Sequence, residues 1–332
     1  LSTFPIVIIG AGPAGIATAV EAINRGFKSS EIIILERSGE IAHMISSKYP
    51  SEKAVLANYK GQMASCIGDM CITDMSKKEF FDYLHSVVQQ YSLKIDFHNQ
   101  VKKIVKLKNG QFNVETNLDT YTSTSVFVAI GSMAAPRSLG VPVHSDVTQK
   151  IHYDIQNIST EDKHILVVGG GDSAAEYSKI LIERGHRVSL SYRGQDFSRM
   201  IEANALATRS LIEKNKMSFL RQSEIEKIDS KGSLPHIIFK DSRYPEMIVD
   251  RVVTALGTER PLNYLNSIGI NTETEQGELF LESKMAGLFF VGDLAASKGG
   301  SINFAFNSGV KAVEEACYSY LDCAKPAAKK AA

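Results

Sequence analysis

Three short apolar runs, each broken off by glycine, organise this chain. Residues 6–9 read Ile-Val-Ile-Ile and lead into Gly10, Gly12 and Gly15. Residues 165–168 read Ile-Leu-Val-Val and lead into Gly169, Gly171 and Ala174. Residues 288–291 read Leu-Phe-Phe-Val and lead into Gly292-Asp293. Unbroken runs of branched residues predict strands buried on both faces, and the apolar spacing after each of the first two predicts a helix. The opening pattern gives strand 5–9, helix 13–25 and strand 32–36, then an irregular stretch over 37–74. Ser76-Lys77-Lys78-Glu79 before an apolar run is a capping box and starts a helix over 76–91. Strands follow at 93–98, 101–108, 111–117 and 120–129, with Asn109-Gly110 marking a hairpin. A second set comprises strand 164–168, helix 172–185, strand 187–192, helix 202–215 and strands 217–229, 234–240 and 247–255. Strand 287–291 and helix 301–321 complete the pattern.

The two glycine patterns carry chemistry because of where they sit. In a strand–Gly-x-Gly-x-x-Gly/Ala–helix arrangement the first glycine makes the tight turn and the second lets a pyrophosphate approach the backbone. The third position lets the helix pack closely, so its N-terminal N–H groups face the phosphates. Two such units predict an α/β protein with two Rossmann-like domains and two dinucleotides, hence electron transfer between them. The candidate contacts are Gly10, Gly12, Ala14 and Gly15 in the first unit and Gly169, Gly171, Asp172, Ser173 and Ala174 in the second. Glu36, at the end of the second strand, suits the ribose diol of an adenosine and repels a 2′-phosphate. Arg193 ends the corresponding strand of the second unit and Arg199 follows; cations there suit a 2′-phosphate and point to NADPH rather than NADH. Tyr192 is placed to stack on an adenine, or to be an ordinary surface tyrosine.

Composition narrows the picture. A length of 332 residues fits two domains of ordinary size. With 37 basic and 37 acidic residues, the chain has no bulk attraction to nucleic acid or anionic membrane. No apolar run is long enough to span a bilayer, and Ile6 to Val20, interrupted by glycines and without a basic leader, does not read as a signal peptide. The tail from Ala324 to Ala332 has no core-forming residues and is expected to be disordered. Four cysteines are present: Cys66, Cys71, Cys317 and Cys323. Gly68-Asp69 between the first pair reads as a turn, so Cys66 and Cys71 are expected to be small buried apolar groups, with a redox pair as the alternative. Cys317 and Cys323 do not share a helical face. Nothing has zinc spacing, so no metal is expected. This cysteine usage fits a reducing, cytoplasmic compartment.

Taken in order, the first glycine pattern, Val126 to Gly131, the second glycine pattern, Val253 to Gly257 and Gly292-Asp293 resemble the two-dinucleotide flavoprotein reductases. The length resembles the thioredoxin-reductase branch, which has no separate dimerisation domain. The resemblance implies FAD in a discontinuous domain (1–133 and 260–323), NADPH in the inserted domain (134–259) and a homodimer. It implies that Asp293 binds the flavin ribityl chain. Arg37, Met44, Val101, Ala129, Gly131 and Gly292 join it around FAD, and Gly257 lies near NADPH. Ser301 and Ile302, at a positive helix N-terminus, would face the flavin pyrimidine ring, where negative charge builds on reduction. Domain rotation about 133–136 and 257–261 is a further implication.

One departure matters. Thioredoxin reductase carries a Cys-x-x-Cys pair before its second glycine pattern, whereas Pro136 to Val168 here contains no cysteine. The chain is therefore more similar to the thioredoxin-reductase-like ferredoxin/flavodoxin–NADP reductases. Residues 192–199, 291–294 and 298–302 resemble the flavodoxin:quinone reductases of epsilon-proteobacteria. The expected acceptor is a flavodoxin or ferredoxin, with quinones as a further class. The alternatives are an NADPH-dependent thiol–disulfide reductase using Cys66 and Cys71 or a small disulfide, and a non-catalytic redox sensor.

Overall fold

A computed structural model of the chain describes residues 2–58, 65–133, 135–272, 281–296 and 300–324. The chain divides into two compact units, one made of Leu1–Ala134 with Arg260–Ala332 and the other of Ala135–Glu259.

In the first unit, β1 (Ser2–Ile9) enters α1 (Pro13–Asn24), followed by β2 (Ile32–Leu35) and the short α2 (His43–Lys48). α3 (Lys77–Gln90) begins at the expected capping box, where the Ser76 side chain accepts from Glu79 N–H and the Glu79 carboxylate accepts from Ser76 N–H. Strands β3 (Ile95–Asp96), β4 (Val101–Lys106), β5 (Phe112–Thr116) and β6 (Thr120–Val128) follow. They give the order β3-β2-β1-β6-β5-β4, parallel from β3 to β6 and antiparallel through the β4–β5–β6 meander. Ile6, Val7 and Ile8 of β1 are fully buried, as an unbroken branched run in a covered parallel sheet should be.

The second unit contains β7 (Ile151–His152), β8 (His164–Val168), α4 (Asp172–Glu183), β9 (Arg187–Tyr192), α5 (Glu202–Glu213) and β10 (Met217–Arg221). β11 (Ile225–Lys231), β12 (Leu234–Phe239), β13 (Met247–Ile248) and β14 (Arg251–Thr254) complete it. β10-β9-β8-β14-β7 form a parallel sheet, and β11-β12-β13 a small antiparallel one. The chain then returns to the first unit as α6 (Leu262–Ser267), β15 (Leu288–Phe290), which pairs with β6, and α7 (Ile302–Ser319).

Several expectations need correction. The stretch 37–74 is not wholly irregular: α2 forms in it after Ala42, whose left-handed backbone (φ 48°) turns the chain. The strand expected at 217–229 is two strands, broken at Gln222, which has φ 53°. The strand expected at 247–255 is also two, because the chain leaves the small sheet and joins the parallel one at Val249-Asp250. There the Asp250 carboxylate accepts from the Lys163 and His164 N–H groups at 2.8 and 2.7 Å. Strand 93–98 shrinks to Ile95–Asp96. Ala324 donates its N–H to Arg25 O at 2.9 Å, and the rest of the tail expected to be disordered, 325–332, lies outside the described residues. Among the described residues no helix is long and apolar enough to cross a membrane.

Candidate functional site: two nucleotide cradles

Both glycine patterns form open cradles. Gly10 has φ +106°, and a Cβ there would stand 2.7 Å from Ala129 O; a Cβ on Gly15 would stand 2.0 Å from Gly10 O. Gly12 instead faces open space, its nearest hypothetical contact being 3.9 Å away. The second cradle repeats this: a Cβ on Gly169 (φ +153°) would stand 2.4 Å from Ala255 O, while Gly171 has nothing within 4 Å. Ala174, where the first cradle has Gly15, is fully buried.

An uncapped helix start behind an open glycine distinguishes these cradles from ordinary turns. α3 and α7 are capped by the hydroxyls of Ser76 and Ser301. α1 and α4 begin at Gly12 and Gly171 with no side-chain cap. α2, α5 and α6 also lack one, but α1 and α4 follow glycines whose faces are open, which leaves donors such as the Ala14 and Ser173 N–H groups facing that space. A pyrophosphate supplies what those donors lack, and the open faces at Gly12 and Gly171 admit it. The residues present therefore fit two dinucleotides.

Around the first cradle, Glu36 is buried and its carboxylate accepts from Ala11 N–H and Ser38 N–H, both at 2.8 Å. It ties the glycine loop to the end of β2 and keeps lone pairs for ribose hydroxyls. Arg37 beside it is exposed. The half-buried Met44 rides on α2, which Ala42 N–H joins to Ala11 O at 2.9 Å. The Val101 side chain lies in the core and its carbonyl accepts from the Tyr264 hydroxyl at 2.9 Å. Burial pushes that phenol up to about 12. Gly131 has φ +71° and open space around it.

Gly292-Asp293 approaches the same cradle from β15. Gly292 has φ +69°, and a Cβ there would come 2.8 Å from the Ala14 methyl. Its N–H donates to Ser308 Oγ at 2.7 Å, and Ser308 donates to Ala305 O at 2.7 Å, so α7 fixes the motif. Desolvation raises the Asp293 carboxyl above the ordinary carboxylate range, against a hydrogen bond from Ser132 that lowers it. A carboxylate so placed suits the hydroxyl donors of a ribityl chain. Gly300 makes room for it, since a Cβ there would lie 2.2 Å from Asp293 Oδ1. Ser301 accepts from Phe304 N–H at 3.2 Å and starts α7, with Ile302 next to it; Lys298 and Gly299 lie outside the described residues.

The four cysteines are not the separate thiols expected. Cys66 pairs with Cys71, and Cys317 with Cys323, as disulfides. The second pair forms because α7 ends at Ser319 and the chain folds back, with Leu321 N–H on Ala316 O at 2.8 Å, so the two residues need not share a helical face. The first pair closes a loop held along α7. The Asn303 side chain accepts from Ile72 N–H at 3.1 Å and donates to Ile72 O at 3.0 Å. One turn later the Asn307 side chain accepts from Ile67 N–H at 3.2 Å and donates to Ser65 O at 3.0 Å. Cys71 is exposed and Cys66 half-buried. Asn303, Asn307, Ser308 and Ser132 were not among the sequence candidates; in the sequence they are polar residues within or beside apolar runs, without a motif.

In the second cradle, the Asp172 carboxylate accepts from Ile201 N–H at 2.7 Å and Asn204 Nδ2 at 3.0 Å, so its side chain fixes the start of α5. Ser173 is half-exposed on the first turn of α4. Gly257 (φ +81°) accepts from Arg137 N–H at 3.0 Å and is otherwise open. Arg193 and Arg199 are exposed, and neither forms a hydrogen bond or ion pair with a described residue. The Tyr192 ring lies against Gly170 and Gly194.

Residues 7–292 match the pyridine nucleotide-disulphide oxidoreductase family. The chain belongs to that family. It is an FAD-dependent oxidoreductase that uses NADPH. The chain is 25% identical over 315 residues to bacilliredoxin reductase Bdr of Bacillus subtilis, covering 91% of this chain and 93% of that one. It is 27% identical over 335 residues to a ferredoxin–NADP reductase of Oenococcus oeni, covering 96% and 90%. Among solved structures, the fold is that of bacillithiol disulfide reductase Bdr from Staphylococcus aureus (TM-score 0.77, 19% identity, 96% and 100% covered). It is equally that of Lactococcus lactis thioredoxin reductase (TM-score 0.73, 20% identity, 95% and 98% covered).

Proposed function

We propose that the unit built on β1 and α1 binds FAD and the unit built on β8 and α4 binds NADPH. Electrons drawn from NADPH leave through the FAD unit to a one-electron protein carrier, a ferredoxin or a flavodoxin, with quinones as a further acceptor class. When bound, FAD supplies the conversion of a two-electron donor's charge into single-electron steps. The chain's own residues bind and orient. The first-turn N–H groups of α1 hold the pyrophosphate, Glu36 the adenosine ribose and Asp293 the ribityl chain. The positive N-terminus of α7 offsets negative charge at the pyrimidine edge. Arg193 and Arg199 receive the 2′-phosphate in the other unit.

One observation carries the carrier reading: the unit with the second cradle, residues 135–259, contains no cysteine. No dithiol is available there to relay electrons to a disulfide substrate. The likeness to ferredoxin–NADP reductases supports the same conclusion.

A second reading has its own observation, the Cys66–Cys71 disulfide with Cys71 exposed on the FAD unit. In that reading two electrons and two protons open the disulfide to two thiols, and exchange with an acceptor disulfide restores it. The likeness to Bdr supports it. Rapid mixing of anaerobic, NADPH-reduced protein with ferredoxin or flavodoxin tests the first reading. Reoxidation of the flavin band with matching reduction of the carrier is expected; a flavin that stays reduced with both carriers refutes it.

A further inference from the structure

The reading of the second unit as an NADPH site leaves one side chain unaccounted for. Tyr192 is the last residue of β9, and its ring is wedged between the glycine-rich loop and the segment that carries both arginines. A Cβ on Gly170 would lie 2.1 Å from the ring's Cε2, and a Cβ on Gly194 2.5 Å from its Cε1. Neither glycine has a positive φ, so both positions are glycine for space and not for backbone freedom. The backbone on either side of Arg193 is fixed as well. Tyr192 O accepts from Ser223 N–H and Gly194 O accepts from Gln222 N–H, each at 3.1 Å. The hydroxyls of Ser191 and Ser223 meet at 2.7 Å beneath them. The Tyr192 hydroxyl makes no hydrogen bond to a described residue, so the ring, not its polar tip, is engaged.

We propose that Tyr192 is a positioning residue for nucleotide selectivity. Its ring is a rigid spacer that sets Gly170 of the phosphate loop against Gly194, and so holds Arg193 beside the cradle where a 2′-phosphate arrives. This rests on the NADPH reading of the unit. The ring's contact with both glycines gives Tyr192 a role beyond the adenine stacking, or the plain surface position, that its place in the sequence suggests. A cation held in position before binding loses less conformational freedom when it meets the phosphate, which is where the selectivity arises.

Calorimetric titration of the FAD-loaded protein with NADP+ and with NAD+ tests this without relying on turnover. Tyr192→Phe keeps the ring and should bind NADP+ within about twofold of wild type. Tyr192→Ala should weaken NADP+ about tenfold, just under the full worth of one charge-assisted hydrogen bond, and NAD+ less than about threefold. Gly170→Ala should expel the ring and reproduce the Tyr192→Ala result. Added to Tyr192→Ala, it should change little, because the space is then vacant. Unchanged NADP+ affinity in Tyr192→Ala overturns the proposal, and so do additive effects of the two alanines. A loss in Tyr192→Phe equal to that in Tyr192→Ala also overturns it, since the hydroxyl would then be the contact. Flavin content and melting temperature of each variant identify any that fails to fold, and Gly170→Ala and Tyr192→Ala serve as independent probes of the same contact. Failure of the wild type to bind NADP+ would instead remove the NADPH reading on which the proposal stands.

Discussion

Arg193 and Asp293 carry the sharpest expectations at the scale of single residues. Arg193 is exposed at the end of β9 and has no hydrogen bond or ion pair within the described residues, so removing it leaves no buried partner stranded. Arg193→Ala should raise the KM for NADPH by the equivalent of roughly 1.5–3 kcal/mol, the worth of a hydrogen bond to a charged group, and leave NADH nearly unchanged. Steady-state kinetics with both nucleotides checks it. Asp293 is the reverse case, a carboxyl held above its ordinary range by desolvation. The folded chain therefore binds that proton more tightly than the unfolded chain does. The resulting stability is complete below the ordinary carboxylate range and is lost as the pH rises through the folded value. At pH values above the folded one, the ionised group destabilises the flavin-free protein. Asp293→Asn should then melt no lower than wild type as apoprotein, with the difference narrowing as the pH falls toward about 4, while FAD affinity drops about tenfold or more. Melting curves of the two apoproteins and a flavin titration decide it. The glycines, Glu36 and Asp293 were legible in the sequence because each belongs to a local motif. Asn303 and Ser308 were not, because their partners, Ile72 and Gly292, become neighbours only when distant segments dock on α7.

Elements were legible where their signals are local. The capping box placed the start of α3, and the branched runs placed β1, β8 and β15. Signals failed where tertiary contacts override the pattern. α2 has no apolar period of its own and depends on the turn at Ala42 anchored to Ala11 O. The break after β10 depends on Gln222 and Ser223 bonding back to Gly194 and Tyr192, which no local residue pattern announces. α7 matters most at this scale, because one helix carries Ser301 at its N-terminus, the two asparagines that hold the Cys66–Cys71 loop, and Ser308 behind Gly292-Asp293. Asn303→Ala leaves the N–H and C=O of the buried Ile72 without partners, at a cost of about 1–3 kcal/mol. A lowered melting temperature and faster amide exchange at Ile72 are the expected results. Unchanged exchange there would mean that the loop is held by something other than α7.

For the whole molecule, the parallel strands at the centre of each unit's main sheet and the two open helix starts were legible, because strand–glycine–helix order is written along the chain. The state of the cysteines was not: spacing gave no reason to pair Cys317 with Cys323, and Cys66 with Cys71 stood only as an alternative to buried apolar groups. That pairing is what separates the two readings of electron exit. The most direct measurement is turnover of NADPH with ferredoxin or flavodoxin by the Cys66→Ser, Cys71→Ser variant, with flavin reduction followed in the same protein. If electrons pass from the FAD unit straight to the carrier, the variant keeps its flavin and its carrier turnover stays within about twofold of wild type, well below the ~1.4 kcal/mol that a tenfold loss would represent. A variant whose flavin is still reduced by NADPH but whose carrier turnover is abolished would show that electrons leave through the Cys66–Cys71 pair, and would contradict the account.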